Sequence, residues 1–189
     1  GTADHLKNEL EPNDLKPYTS GFFVGKVCTK PITERGGHVF FSIEVKGRKI
    51  RCGVYKPTKI TKTTQNLIPG DMIRVGGGIR KASKNHSRVL NVEFLDIIQL
   101  AKNIMLTNPT CKKCNKKMKS NGNRQGFECV KCGDKFFSKS KLEIPRKIQS
   151  KLYLPDISAH RHLTRPSQRL KKKNRNTLFD TSIPWFNVF

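Results

Sequence analysis

The chain has 189 residues, 35% hydrophobic and 28% charged, with 38 lysines and arginines against 14 acids and a formal net charge of +24. That length allows one or two small domains and not one large core, and such a charge excess would repel itself in a compact state unless a polyanion met it. No apolar run approaches the roughly 20 residues that span a bilayer and no charged–apolar–small leader opens the chain, so the expectation is a soluble, cytoplasmic protein with no membrane partner.

Taken in chain order, residues 1–16 read as a polar lead-in of net charge −2. A run of strand signals follows over residues 17–105, a segment of net charge +11. SGFFVGKVCTK (20–30) is apolar and β-branched, with Gly25 suggesting a bend. HVFFSIEV (38–45) alternates, placing Val39, Phe41, Ile43 and Val45 on one face and His38, Phe40, Ser42 and Glu44 on the other. KGR (46–48) reads as a tight turn. KIRCGVY (49–55) alternates again, with Ile50, Cys52 and Val54 inward and Lys49, Arg51 and Tyr55 outward. PTKITKTTQNLI (57–68) lacks alternation and predicts a short helix with Thr58 as its cap. MIRVGGGIR (72–80) and RVLNVEFLDIIQL (88–100) are two further strands. Five strands with one helix between the third and fourth predict an OB-fold barrel, whose second and third strands form a platform for oligonucleotides; a generic β-domain is the other reading. The fold class is therefore mostly β: an OB-fold barrel (17–105), a zinc ribbon (106–140) and a basic C-terminal tail (141–189).

The ribbon rests on Cys111-Lys-Lys-Cys114 and Cys129-Val-Lys-Cys132. A Cys-x-x-Cys turn sets two sulfurs on one side of a tight loop, and two such turns make a four-sulfur tetrahedral site. Disulfides would need a secretory context, a thioredoxin-like pair would need a βαβ frame and a single motif, and an iron–sulfur cluster usually takes other spacings. The expected cofactor is one structural Zn²⁺ on Cys111, Cys114, Cys129 and Cys132, with no open position for catalysis. Residues 106–140 carry net +7, and the lysines around the thiols offset the charge of the metal site and leave a basic surface, or merely a solvated face. Cys28 and Cys52 sit singly in strands and read as small core residues.

Residues 141–189, net +8, hold SAHRHLTRPSQRLKKKNR and end in SIPWFNVF with the one Trp. LKKKNR (170–175) reads as a phosphate-binding arm or part of a disordered basic tail; SIPWFNVF reads as a segment that docks on a partner, folds back on the barrel or belongs to an interface. No P-loop spacing, paired carboxylates or base-framed nucleophile is present, so the chain by itself reads as a binding body.

GTADHLK (1–7), PYTSGFFVGKV (17–27), RGGHVFF (35–41), CGVYKPTK (52–59), LIPGDMIRVGGGIR (67–80), LNVEF (90–94), NPTCKKCNKKMKS (108–120) and HRHLTRP (160–166) together resemble the C-terminal half of the archaeal tRNA-Ile agmatidine synthetase family. The resemblance implies an ATP-dependent ligase that attaches agmatine to the wobble cytidine of a tRNA with a CAU anticodon. It implies that Arg35, Gly36, Gly37 and His38 shape the first barrel loop, and that the barrel, the ribbon and HRHLTRP touch tRNA. It assigns ATP and agmatine to a catalytic domain that this chain lacks, so the chain reads as a piece of a longer enzyme or as a separate tRNA-binding half working with a catalytic partner chain.

The nucleic-acid contacts expected are these. Arg48, Lys49 and Arg51 meet phosphates from the third strand, while Phe40 and Tyr55 stack on a base. Phe40 could equally pack under a loop or the ribbon. Arg35 and His38 border the groove, Lys113, Lys117, Arg124 and Lys131 extend it over the ribbon, and Arg161 and Arg165 clamp from the tail. The rival readings are a single-stranded DNA-binding protein of the replication-factor type and a scaffold that recruits a catalytic chain through SIPWFNVF.

Overall fold

The structure, a computed structural model, describes residues 6–84, 87–156 and 159. Its larger unit is a closed five-stranded barrel. The strands are β1 (Ser20–Val27), β3 (Val39–Val45), β4 (Arg48–Val54), β5 (Met72–Arg80) and β6 (Val89–Gln99), with a short β2 (Ile32–Thr33) at the edge of β3. They follow one another in the order β1-β5-β6-β4-β3, and β3 returns to β1 through Lys26↔Glu44 and Val27↔Ile43. β4 and β6 pair in parallel. This closed five-stranded barrel, with its helical segment between the third and fourth strands, is the layout expected from the alternation.

The period-2 pattern sets what lies inside. Val39, Phe41, Ile43 and Val45 of β3, and Ile50, Cys52 and Val54 of β4, are buried. All but Val39 share one core with Phe23, Ile73, Val75, Leu90 and Leu95. Lys46 and Gly47, both at positive φ (47° and 77°), form the two-residue connection between β3 and β4, where the backbone twist of such a turn matches that of the strands. Gly77 explains the GGG run. β5 shifts register against β6 between Gly76 and Gly77, and a Cβ on Gly77 would lie 1.8 Å from the Asn91 carbonyl oxygen.

The helix expected over 57–68 is much shorter. A 3-10 turn, Lys56–Thr58, is followed by one turn of α-helix, α1 (Thr61–Thr64). Thr58 does not cap α1: its hydroxyl donates to the Tyr55 carbonyl at 2.6 Å, and the N-cap is Ile60 with no side-chain bond. The left-handed Lys59 (φ 59°) separates the two turns, and a Thr-rich segment has little helix propensity to oppose that break.

Two stretches outside the five strands belong to the barrel. Leu6 and Leu10 of the lead-in are buried, and the Leu10 and Phe22 amides donate to the Phe22 and Asn8 carbonyls at 2.8 and 2.9 Å. The lead-in thus runs along β1 where β3 does not pair. In the stretch expected to begin the basic tail, Ile148 enters the barrel core and β12 (Leu152–Tyr153) pairs with β6.

Between these, β7 (Ile104–Thr107) pairs antiparallel with β11 (Ser140–Glu143) as a two-stranded stem. Within the loop it closes, β8 (Lys119–Ser120), β9 (Phe127–Glu128) and β10 (Lys135–Phe136) form a small sheet in the order β10-β9-β8. Its core is only Cys111, Met118, Phe127 and Cys129, packed with Cys114. Among the described residues no helix is long and apolar enough to cross a membrane.

Candidate metal centre and nucleic-acid interface

The sulfurs of Cys111, Cys114, Cys129 and Cys132 all lie within 4.8 Å of one another. Those of Cys111 and Cys132 are 3.6 Å apart. A tetrahedral ion with Zn–S bonds of about 2.3 Å needs sulfurs about 3.8 Å apart, so the donor set fits zinc. The two knuckles share one hydrogen-bond pattern. The Cys111 amide donates to the Lys116 carbonyl and the Asn115 amide to the Cys111 carbonyl; Cys129 with Asp134 and Gly133 with Cys129 repeat this at the second knuckle. Each knuckle turns back through a left-handed residue, Asn115 (φ 52°) and Gly133 (φ 71°). This geometry aims amides at sulfur. The Cys132 amide, then that of Lys131, bonds the Cys129 sulfur and pulls its thiol down to about 7. Cys114 is pushed up to about 12, first by its hydrogen bond to Cys132 and then by burial. A bound cation would take the place of these shared protons and hold all four sulfurs as thiolates.

Around this centre Lys113, Lys117, Arg124 and Lys131 are exposed. Lys113 faces Asp134 at 3.4 Å.

On the barrel, the outer face of β3 and β4 gathers one end of the expected contact set. Phe40 stands opposite Gly53, and a Cβ on Gly53 would come within 2.8 Å of its ring. The Arg51 guanidinium lies 4.7 Å from the Phe40 ring centre. Its Nη2 donates to Glu34 Oε1 at 3.1 Å. Tyr55 meets Phe40 edge-on at 6.2 Å and His38 at 5.0 Å. His38 Nδ1 accepts the Lys56 amide at 3.2 Å, which fixes the ring. Arg35 sits exposed in the preceding turn, closed by the Gly37 amide on the Glu34 carbonyl.

His38, Phe40, Arg51 and Tyr55 therefore form one cation–aromatic cluster with Arg35 and Glu34 beside it. Arg48 and Lys49 are not in it. Lys49 stands opposite Glu44 in the strand register, at the far end of the strands, and Arg48 donates to Asn13 of the lead-in at 2.9 Å. Arg161 and Arg165, like His160, His162 and SIPWFNVF, lie outside the described residues.

One residue joins this region that periodicity does not mark. Arg80, at the end of β5, donates to the Tyr55 hydroxyl at 3.4 Å and lines with it an open cleft of about 440 Å³. An OB platform draws attention to strands two and three; the contribution of the fourth strand depends on barrel closure.

Residues 108–148 match the TiaS C-terminal zinc ribbon domain family. Over 189 residues the chain is 45% identical to the tRNA 2-agmatinylcytidine synthetase TiaS of Cenarchaeum symbiosum, covering 100% of this chain and 42% of that protein. It is 34% identical over 176 residues to the synthetase of the same name from Archaeoglobus fulgidus, 93% of this chain and 40% of that one. It superposes on the crystal structure of TiaS in complex with its isoleucine tRNA and ATP with a TM-score of 0.70 and 32% identity, covering 91% of this chain and 38% of that chain. The apo TiaS crystal structure gives a TM-score of 0.64 at 33% identity over 88% and 38%. The chain thus spans about two fifths of the length of the curated relatives it matches. Residues 108–148 match the TiaS C-terminal zinc ribbon family, and over its whole length the chain is similar to about two fifths of a tRNA 2-agmatinylcytidine synthetase.

Proposed function

We propose that this chain is the tRNA-binding module of an ATP-dependent ligase that joins agmatine to the wobble cytidine of tRNA-Ile with a CAU anticodon. The barrel and the ribbon position the tRNA, and the chemistry on ATP and agmatine belongs to a catalytic domain or partner chain. The relatives' names and the tRNA in the matched complex support the substrate. The observation that carries the binding role is the cluster of Arg51, Phe40, Tyr55, His38 and Arg80 on the barrel's outer face. It combines cations for phosphate with aromatic surface for unstacked bases, the pairing by which proteins hold single-stranded loops and ends. Because Arg51 roofs Phe40, Tyr55 is the ring best placed to meet a base. Lys113, Lys117, Arg124 and Lys131 extend the cationic surface along the ribbon, whose shape one Zn²⁺ on the four thiolates maintains.

Competition binding tests this. Folded tRNA-Ile with a CAU anticodon should displace a labelled tRNA far better than poly-dT does, and affinity should fall steeply with salt. Preferential displacement by poly-dT would favour the single-stranded DNA reading instead, and a flat salt response would remove the electrostatic basis of the proposal.

A further inference from the structure

We infer that the ribbon carries its own stacking site for a single-stranded nucleotide, in which a base lies on Phe137 and the flanking phosphates meet Arg124 and Lys139. The inference rests on the reading of the chain as an RNA binder, but on none of the barrel residues that support it.

An open cleft of about 570 Å³ lies beside the ribbon's small sheet, lined by Phe137, Arg124, Lys139, Asn123 and Ser120 among others. That volume suits a nucleotide-sized ligand. Phe137 follows β10 and is 77% exposed. In a unit whose core is four residues, an aromatic ring has every reason to turn inward. Phe127 does so, and Phe137 does not.

The ring is nevertheless seated. It rests over Gly126, where an added Cβ would lie 2.9 Å from Phe137 Cδ1 and 2.9 Å from the Phe136 carbonyl oxygen. Gly126 also has φ +78°, a conformation that a side chain rarely adopts. Bare backbone therefore supports the ring while its surface stays open to solvent. Such a ring is a stacking platform, and stacking is sequence-tolerant because every base offers a π face.

The charge around it has one sign. Arg124 and Lys139 line the cleft, and no carboxylate is among the described lining residues. Residues 106–140 hold two acids, Glu128 and Asp134, and both are engaged elsewhere. Glu128 accepts from the Asn121 side chain at 2.8 Å, and Asp134 faces Lys113 at 3.4 Å. Arg124 and Lys139 form no ion pair among the described residues, so an incoming phosphate has no internal anion to displace. Two separated cations flanking an open ring suit the alternation of phosphate and base better than an acidic peptide, which would leave the ring without a planar partner.

The test uses the full chain with Trp185→Phe, which removes the one native tryptophan, and Phe137→Trp as a fluorescent reporter. A single-stranded oligoribonucleotide and tRNA should quench the reporter; duplex RNA and polyglutamate should not. Phe137→Ala and the pair Arg124→Gln/Lys139→Gln should each weaken oligoribonucleotide binding about 5- to 100-fold, and Phe137→Tyr should restore it. Since Phe137 lies outside the ribbon core, Phe137→Ala should keep all four thiols protected from alkylation, which separates lost stacking from lost folding. If the native chain binds tRNA but the reporter stays silent and Phe137→Ala binds normally, the site is refuted while the barrel reading stands. Quenching by polyglutamate equal to that by RNA would overturn it in favour of an acidic protein partner. A native chain that binds no RNA would overturn both.

Discussion

Arg146 closes on Asp71 across 75 residues of chain, with Nη1 donating to Oδ1 at 2.9 Å and Nη2 to Oδ2 at 2.8 Å. The Asp71 side chain is 0% exposed and that of Arg146 11%. The Ile68 and Ala101 amides also donate to Asp71, and Arg146 donates on to the Ala101 and Asn66 carbonyls. One carboxylate thus ties the loop before β5, the exit from β6 and the stretch after β11 to the same point. Both ends of the ribbon excursion are anchored there.

Breaking this clasp should be costly, because it leaves a charge buried without its partner. Arg146→Ala should lower stability by about 3 kcal/mol, read as a shift in urea midpoint. Asp71→Asn, which keeps the shape, should cost less than Asp71→Ala, which also strands the Ile68 and Ala101 amides. A midpoint for Arg146→Ala indistinguishable from the native chain would show that the bidentate contact is not formed in solution.

Removal of the metal should affect the ribbon alone. Its core shares no residue with the barrel core, and four buried side chains cannot hold such a unit together. With a strong chelator, amides in β8, β9 and β10 should lose hydrogen-exchange protection while those in β1, β5 and β6 keep it. Loss of protection throughout the barrel would mean that the two units fold as one.

The barrel face should respond residue by residue. Tyr55→Leu should cost about 1–3 kcal/mol of tRNA affinity, and Arg51→Gln should reduce the salt slope by about one. Glu34→Gln should raise affinity, since it frees the Arg51 guanidinium from an internal carboxylate that a phosphate must otherwise replace. Arg48→Gln, on the side held by Asn13, should change little. Equal losses at Arg48 and Arg51 in filter binding would show that the contact surface follows overall charge and not this cluster.

Cys52 should be inert. Burial, and next the neighbouring Cys28, push its thiol far up, so the thiolate that would attack an alkylating agent is absent from the fold. Mass spectrometry after iodoacetamide treatment at pH 8 should find Cys52 unmodified until the barrel unfolds. The sign for stability follows: the fold keeps the thiol neutral, whereas the unfolded chain ionises it above about pH 8.5, so Cys52 lowers stability as pH rises past that point. Modification at the rate of an unfolded thiol would contradict the burial.

Local patterns make much of this molecule readable. Alternation at Val39–Val45 and Ile50–Val54 places side chains on the two faces of a strand because successive Cβ atoms point opposite ways. Cys-x-x-Cys spacing announces a metal knuckle because chelation is a short-range requirement. The left-handed counterpart of Gly133 in the first knuckle is harder to see, since Asn115 fills that position with a side chain that tolerates αL. The one-turn α1 reads as a longer helix because Lys59, in a left-handed conformation, leaves no mark in composition.

By itself, then, the sequence determined the five barrel strands, their inward faces, the two cysteine knuckles and the cationic character of the surface, which rest on short-range patterns and composition. Only the tertiary structure decided that Arg51 roofs Phe40 while Arg48 turns to Asn13, that Arg80 reaches Tyr55, that the lead-in lines β1, and that Arg146 finds Asp71. Most of those pairings join segments separated by tens of residues, and their partners are selected by barrel closure and strand register, which no local period encodes.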